Sequence, residues 1–147
     1  MKTRLIFVLA AASIMLLVFS CKDEQVLTEY MDPRLLKVVG KYEASKYFLS
    51  DPVDRPIDIL KLGGSITAEI KKDMTVSGRI IIPKTFYSGY SGADLLYNGT
   101  FEFKGNDSIK FFTNGSLARL PFSIHKDSLK AESATIGYFA LTLKKIK

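Results

Sequence analysis

From Gly40 onward, apolar and polar residues alternate almost one for one, in short runs that recur to the end of the chain. Ile66, Ala68 and Ile70 are separated by Thr67 and Glu69. Met74, Val76, Gly78, Ile80 and Ile82 alternate with Thr75, Ser77 and Arg79, and Tyr97, Gly99, Phe101 and Phe103 with Asn98, Thr100 and Glu102. Shorter versions stand at Ile109/Phe111, Phe122/Ile124, Leu129/Ala131 and Phe139/Leu141/Leu143. A period of two marks a strand with one buried face. With Tyr42, Ala44 and Phe48 in a first run, the pattern predicts about eight strands. One short helical turn is predicted to open at Pro33 and end near Lys37. No later stretch keeps helical spacing, so the domain reads as all-β.

The connections say how the strands are arranged. Lys71–Asp73, Gly105–Asp107 and His125–Asp127 are tight hairpin turns. Leu49–Gly64, Pro83–Asp94 and Thr113–Arg119 are longer, and the last link, near Ala134–Ile136, is short. In an up-and-down arrangement every second connection lies at the same end. The tight turns therefore gather at a base and the long loops at a mouth. The expected fold is an antiparallel up-and-down β-barrel of about eight strands, closed by pairing Gly40–Leu49 with Tyr138–Ile146. A barrel of that size either holds one small ligand or is filled by its own side chains.

The start of the chain has another character. Lys2 and Arg4 precede an apolar stretch from Leu5 to Val18, and charge returns at Lys22, Asp23 and Glu24. That stretch is shorter than the roughly 20 residues a membrane-crossing helix needs, and it has the parts of a secretory signal. Cys21, the single cysteine of 147 residues, sits on the border. Val18-Phe19-Ser20-Cys21 resembles a bacterial lipobox, with a bulkier residue at Phe19 than is usual there. The resemblance implies cleavage before Cys21 and its lipidation, with palmitate among the acyl chains. A disulfide has no partner in the chain, and several acyl chains on one cysteine suffice for stable membrane attachment. The chain is thus divided into a lipoprotein signal peptide (1–20), a lipidated tether (21–34) and a barrel domain (35–147). The expected location is the bacterial outer membrane, periplasmic or surface-exposed. Lys22-Asp23-Glu24 reads either as a surface-export signal or as an ordinary solvated tether.

Composition narrows the partners. The formal net charge is +6, and two of the basic residues belong to the leader. A mild surplus with lysines in "LTLKKIK" favours anionic surfaces, but no nucleic-acid recognition motif accompanies it. Nucleic acid is not expected as a partner.

Within Leu35–Ile146 the chain resembles bacterial lipocalin-like lipoproteins, which are calycin-type barrels. "VVGKYEASKYF" stands where that superfamily has its Gly-x-Trp strand, with Gly40 and Tyr42 in the matching positions. Tyr42 replaces the tryptophan, and the chain contains no Trp. "GTFEFKGNDSIKFF" and "DSLKAES…GYFALTLKKI" resemble the later hairpins, and the long first loop resembles the flap. The resemblance implies a lipid-anchored barrel that binds a small apolar or amphipathic ligand. The alternative is a protein–protein or inhibitor module whose barrel core is full.

Candidate chemistry is sparse. His125 is the only histidine and flanks a hairpin turn; Ser123, Asp127 and Ser128 are its neighbours in sequence, an arrangement that rarely converges into a nucleophilic triad. Glu43, Glu69 and Glu102 fall on polar faces rather than pairing in a cleft. Asp51, Asp54 and Asp58 share a loop without the glycine and ligand spacing of a calcium site. One histidine and a lipidated cysteine make a zinc site improbable. No catalytic residue, metal or cofactor is assigned, and the chain is not expected to be an enzyme. The ligand site is expected among inward residues near the mouth: Phe48, Ile66, Ile80, Ile82, Tyr97, Phe111, Phe122 and Phe139. Tyr87 and Tyr90 of "YSGYSG" are expected to close over them as a rim. Lys46 shares parity with Tyr42 and Ala44, so it points either inward, toward a ligand's anionic head, or out to solvent. Ala44, Ala68, Gly78, Gly99 and Ala131 form a small-residue belt. That belt either leaves a cavity at mid-height or makes room for Tyr42 and Phe101 to reach across.

Overall fold

A computed structural model describes residues 32–114, 116–134 and 137–146. The expected signal peptide, Cys21 and most of the expected tether lie outside the described residues. The chain divides after Pro33, and the barrel belongs to the part that begins at Arg34.

A one-and-a-half-turn helix, α1 (Pro33–Val38), leads into β1 (Gly40–Ser50). There follow β2 (Pro56–Asp58), β3 (Ser65–Ile70), β4 (Thr75–Ile82), β5 (Ala93–Phe103), β6 (Ser108–Thr113), β7 (Phe122–His125), β8 (Ser128–Ser133) and β9 (Phe139–Lys145). Every neighbouring pair from β3 to β9 is antiparallel, and β1 pairs with both β3 and β9. The sheet therefore closes into an eight-stranded up-and-down barrel, and its closing pair is the one the sequence pattern predicts. β2 is an extra strand. It pairs with β1 from Phe48↔Asp58 to Ser50↔Pro56, beyond the stretch Gly40–Glu43 that β3 occupies.

The tight turns behave as their residues dictate. Asp73 Oδ1 accepts bonds from the Thr75 N–H (3.0 Å) and hydroxyl (2.5 Å). Met74 sits at φ 63 in that turn, so it is a turn residue rather than the first residue of a strand. Gly105 takes φ 75 in the β5–β6 turn, a conformation glycine adopts without a Cβ penalty. Beside these turns α1 covers the base. It buries Leu35 and Val38, its last-turn Val38 carbonyl accepts the buried Tyr42 hydroxyl at 2.7 Å, and Arg34 bonds the Gly105 carbonyl at 2.9 Å while lying over the Phe103 ring.

β1 carries the one irregularity that matters for the site. Its pairing with β9 shifts between Ala44 and Lys46, leaving Ser45 as an extra residue. A bulge of one residue reverses which face the following side chains occupy. Tyr42 is buried before it and Tyr47 after it. The inward placement of Phe48 is therefore corrected, and of the two alternatives for Lys46 the outward one holds: both lie on the outer face. Lys46 there pairs with Glu132 at 3.4 Å, and the Phe48 ring meets Tyr138 edge-on at 6.1 Å.

Candidate functional site

The lower barrel is filled. Phe101, Phe111 and Phe122 stack edge-on in a chain, with centroids 6.3 and 5.1 Å apart. Phe111, Phe122 and Leu143 have no solvent contact, and Ile66, Ile80 and Leu141 have 1–2 %. A void as large as a water molecule would expose the side chains around it, so none borders Phe111, Phe122 or Leu143. Tyr97 occupies the height of the small-residue belt. It lies opposite Gly78 on the neighbouring strand and donates its hydroxyl to the Thr67 carbonyl at 2.7 Å. A Cβ at Gly78 would fall on that carbonyl and within 2.5 Å of the Tyr97 hydroxyl. Gly78 is thus small because Tyr97 crosses it. Burial pushes the Tyr97 phenol far above its ordinary value, while Tyr42 is pushed up to about 12, by burial first and then by the Asp127 charge.

Above this filled section the mouth opens into a cup of about 590 Å³. Its walls are Leu49, Ile82, Phe86, Ala93, Leu95 and Phe139, and its polar positions are Ser50, Asp54, Tyr90, Gly137 and Tyr138. Three elements build it. The end of β1 contributes Leu49 and Ser50, and the Ser50 hydroxyl both donates to the Tyr138 carbonyl (3.1 Å) and accepts from its N–H, tying β1 to the β8–β9 loop. The β4–β5 loop folds a single 3₁₀ turn, Lys84–Phe86, that buries Phe86. Phe86, Tyr87 and Tyr90 then pack as a cluster, with all three centroid separations between 5.1 and 5.5 Å. Burial, and secondarily Tyr87, raises the Tyr90 phenol. The β1–β2 loop brings Asp54, at φ 59.

That loop is held by its own carboxylates. Asp51 is buried and accepts the Val53 and Arg55 N–H groups (3.0 and 2.9 Å) and the Arg55 guanidinium (2.8 Å to Nε). Burial alone would raise its carboxyl; these bonds outweigh burial and hold it low. Asp58 accepts the Leu60 N–H at 3.1 Å.

The structure brings some of the expected site residues together and separates others. Ile82, Tyr90 and Phe139 line the cup. Tyr87 backs it through the aromatic cluster. Ile66, Ile80, Tyr97, Phe111 and Phe122 pack beneath as core. Phe48 and Lys46 are outside. Burial alone would lower the Lys46 ammonium, but Glu132 and Tyr138 more than offset that and raise it. Glu132 in turn is held low, first by the Tyr138 hydroxyl at 2.9 Å. His125 lies at the base, the end opposite the cup.

The sequence reading missed Leu49, Leu95, Ala93, Phe86 and Tyr138. Leu95 and Ala93 were within reach, because the parity of Tyr97 extends back through both. Leu49 was hidden by the bulge. Comparison with family models, curated proteins and solved structures found no match for this chain.

Proposed function

We propose that this chain is a lipid-anchored envelope lipoprotein that binds a small amphipathic molecule in the mouth cup, not inside the barrel. The observation that carries this is the cup itself. Its volume falls in the roughly 300–1,000 Å³ range of small-molecule sites, and it pairs an apolar wall with a few polar groups at one rim. The closed barrel is a rigid frame for it. The anchor reading rests on the sequence around Cys21, and the outer membrane follows from it. No catalytic role enters this reading.

Two measurements test it. Replacing Cys21 with serine should leave an unprocessed chain that takes up no labelled fatty acid; processing and labelling as in the parent would remove the anchor. Calorimetric titration of the purified protein with short-chain amphiphiles should show one saturable site. Leu95→Arg should abolish that site. Leu95 is half exposed at the cup wall, so the change should leave the fold intact.

A protein partner is the second reading, and one observation favours it. β6 pairs with β5 only along Gly99–Phe103. Among the described residues, the same edge of β5 from Ala93 to Asn98 has no ladder partner, and Leu96 there is 84 % exposed. An unpaired edge with an apolar side chain can accept an added strand. Leu96→Lys would block such a partner and leave amphiphile binding in place.

A further inference from the structure

We propose that the cup selects a ligand with a cationic head, an amine or quaternary ammonium, carried on a short apolar chain. This rests on the cup being a ligand site, and the head is opposite in charge to the anionic one that an inward Lys46 would have met. Of the two placements the sequence allowed for Lys46, inward toward an anionic head or out to solvent, the Ser45 bulge gives the outer one, where Glu132 holds it. Among the described residues lining the cup there is one fixed charge, the Asp54 carboxylate, and no lysine or arginine.

The other acids around the mouth are neutralised by neighbours. Asp51 pairs with Arg55 at 2.7 Å, Asp94 with Arg79 at 2.6 Å and Asp58 with Lys61 at 3.8 Å. No such cation stands beside Asp54 among the described residues. The left-handed backbone at Asp54 presents its carboxylate next to Gly137, where a Cβ would lie 3.5 Å from Oδ1 and 2.9 Å from the Ser50 hydroxyl. Gly137 itself takes φ 73, so this small gap is built into the backbone.

The remaining lining completes the chemistry. Phe86, Tyr90, Tyr138 and Phe139 contribute aromatic rings to the same cup. Ring faces attract cations within about 6 Å, most of all when water is partly excluded. A carboxylate beside aromatic rings suits a bulky ammonium. A carboxylate ligand would meet Asp54 as a like charge, with no cation to receive it. Leu49, Ile82 and Leu95 would take the alkyl chain.

The test is calorimetric titration of the purified protein with three probes of equal chain length: octyltrimethylammonium, octanol and octanoate, each below its aggregation threshold. The ammonium should bind about five- to tenfold more tightly than octanol, with octanoate weakest, and raised salt should narrow the gap. Asp54→Asn is the decisive variant, because asparagine also tolerates the left-handed backbone and removes only the charge. It should bring the ammonium down to the octanol level and leave octanol unchanged. If octanoate binds as well as the ammonium, or Asp54→Asn changes nothing, the charge preference is overturned while octanol binding still upholds the cup. If none of the three probes binds, the cup reading falls, and this inference with it.

Discussion

The two ends of the barrel are made from the same strands and solve different problems. At the base, tight turns leave no slack, α1 lies across the opening, and Tyr42, Phe111 and Phe122 pack with almost no solvent contact. At the mouth the loops are long, and they are held by polar devices: Asp51 against Arg55, Ser50 against Tyr138, Asp94 against Arg79. Buried apolar residues anchor both ends, with Ile59, Phe86 and Leu117 holding the mouth loops, but at the mouth hydrogen bonds and charge pairs carry more of the load. Stability and a binding site are thus separated along one axis, because a filled barrel can leave its rim open without loosening its core.

The largest effect expected from this contrast is in the core. Phe111→Ala should cost about 3–5 kcal/mol, since it empties a fully buried ring position. Leu95→Ala at the cup wall should cost less than about 1 kcal/mol, because half of that side chain is already in water. Urea unfolding of both variants measures the difference. Similar losses at the two positions would mean that base and mouth are not energetically distinct.

Gly78→Ala should come next, at about 1–3 kcal/mol of overpacking. Its Cβ would strike the Thr67 carbonyl, a backbone atom that cannot rotate away. Equilibrium unfolding with an unchanged denaturant slope would confirm a strained but intact barrel. An unchanged midpoint would show that the belt is looser than its geometry implies.

The ends should also part company with pH. The Tyr42 phenol, at about 12 when folded, stands above its unfolded value near 10. The folded state therefore holds this proton more tightly, and the stability it contributes is complete below pH 10 and lost as pH rises through 12. The loss is on the order of 2 kcal/mol, and Tyr97 acts in the same direction. Asp51, Asp94 and Glu132 are held low. Their contribution is present above the ordinary carboxylate range and disappears as pH falls through their lowered values. Asp73 gives the base one such group, in an exposed turn. Alkali should then loosen the core around Tyr42 and acid should first loosen the mouth loops. Amide exchange followed at both extremes would show the order, and a base that exchanges first in acid would contradict it.

How legible each end was in the sequence follows the same division. The strands, their antiparallel order and the β1–β9 closure were readable, because period-two burial and tight turns are local signals. The mouth was readable only in part. Phe86 enters the cup through a 3₁₀ turn with no apolar period, Tyr138 through a loop contact with Ser50, and Asp54 through a backbone twist. Only the Ser50–Tyr138 contact joins residues far apart in the chain; the other two are local but leave no period in the sequence. β2 adds a short strand that a loop rich in Asp and Pro gives no reason to expect.

The smallest effects are expected from changes at the bulge itself, where parity misled most directly, set against one deletion in a regular strand as a control. Lys46→Ala should leave stability and probe affinity unchanged, since its partner Glu132 is 60 % exposed and solvated pairs of this kind contribute little. If Lys46 reached into the cup, the same change would alter affinity for a charged probe. Deleting Ser45 probes the geometry itself. Ser45 is the second residue facing one position on β9, so its removal restores a regular strand. Tyr47 should remain inside and Lys46 outside, with only a minor loss of stability, because every later side chain keeps its present face. Removing one residue from a strand without a bulge, such as Ser77 in the regular β4, should instead turn half of that strand against the pleat, and the barrel should not fold. If both deletions prove equally harmful, Ser45 is not the extra residue, and the outward placement of Lys46 fails with it.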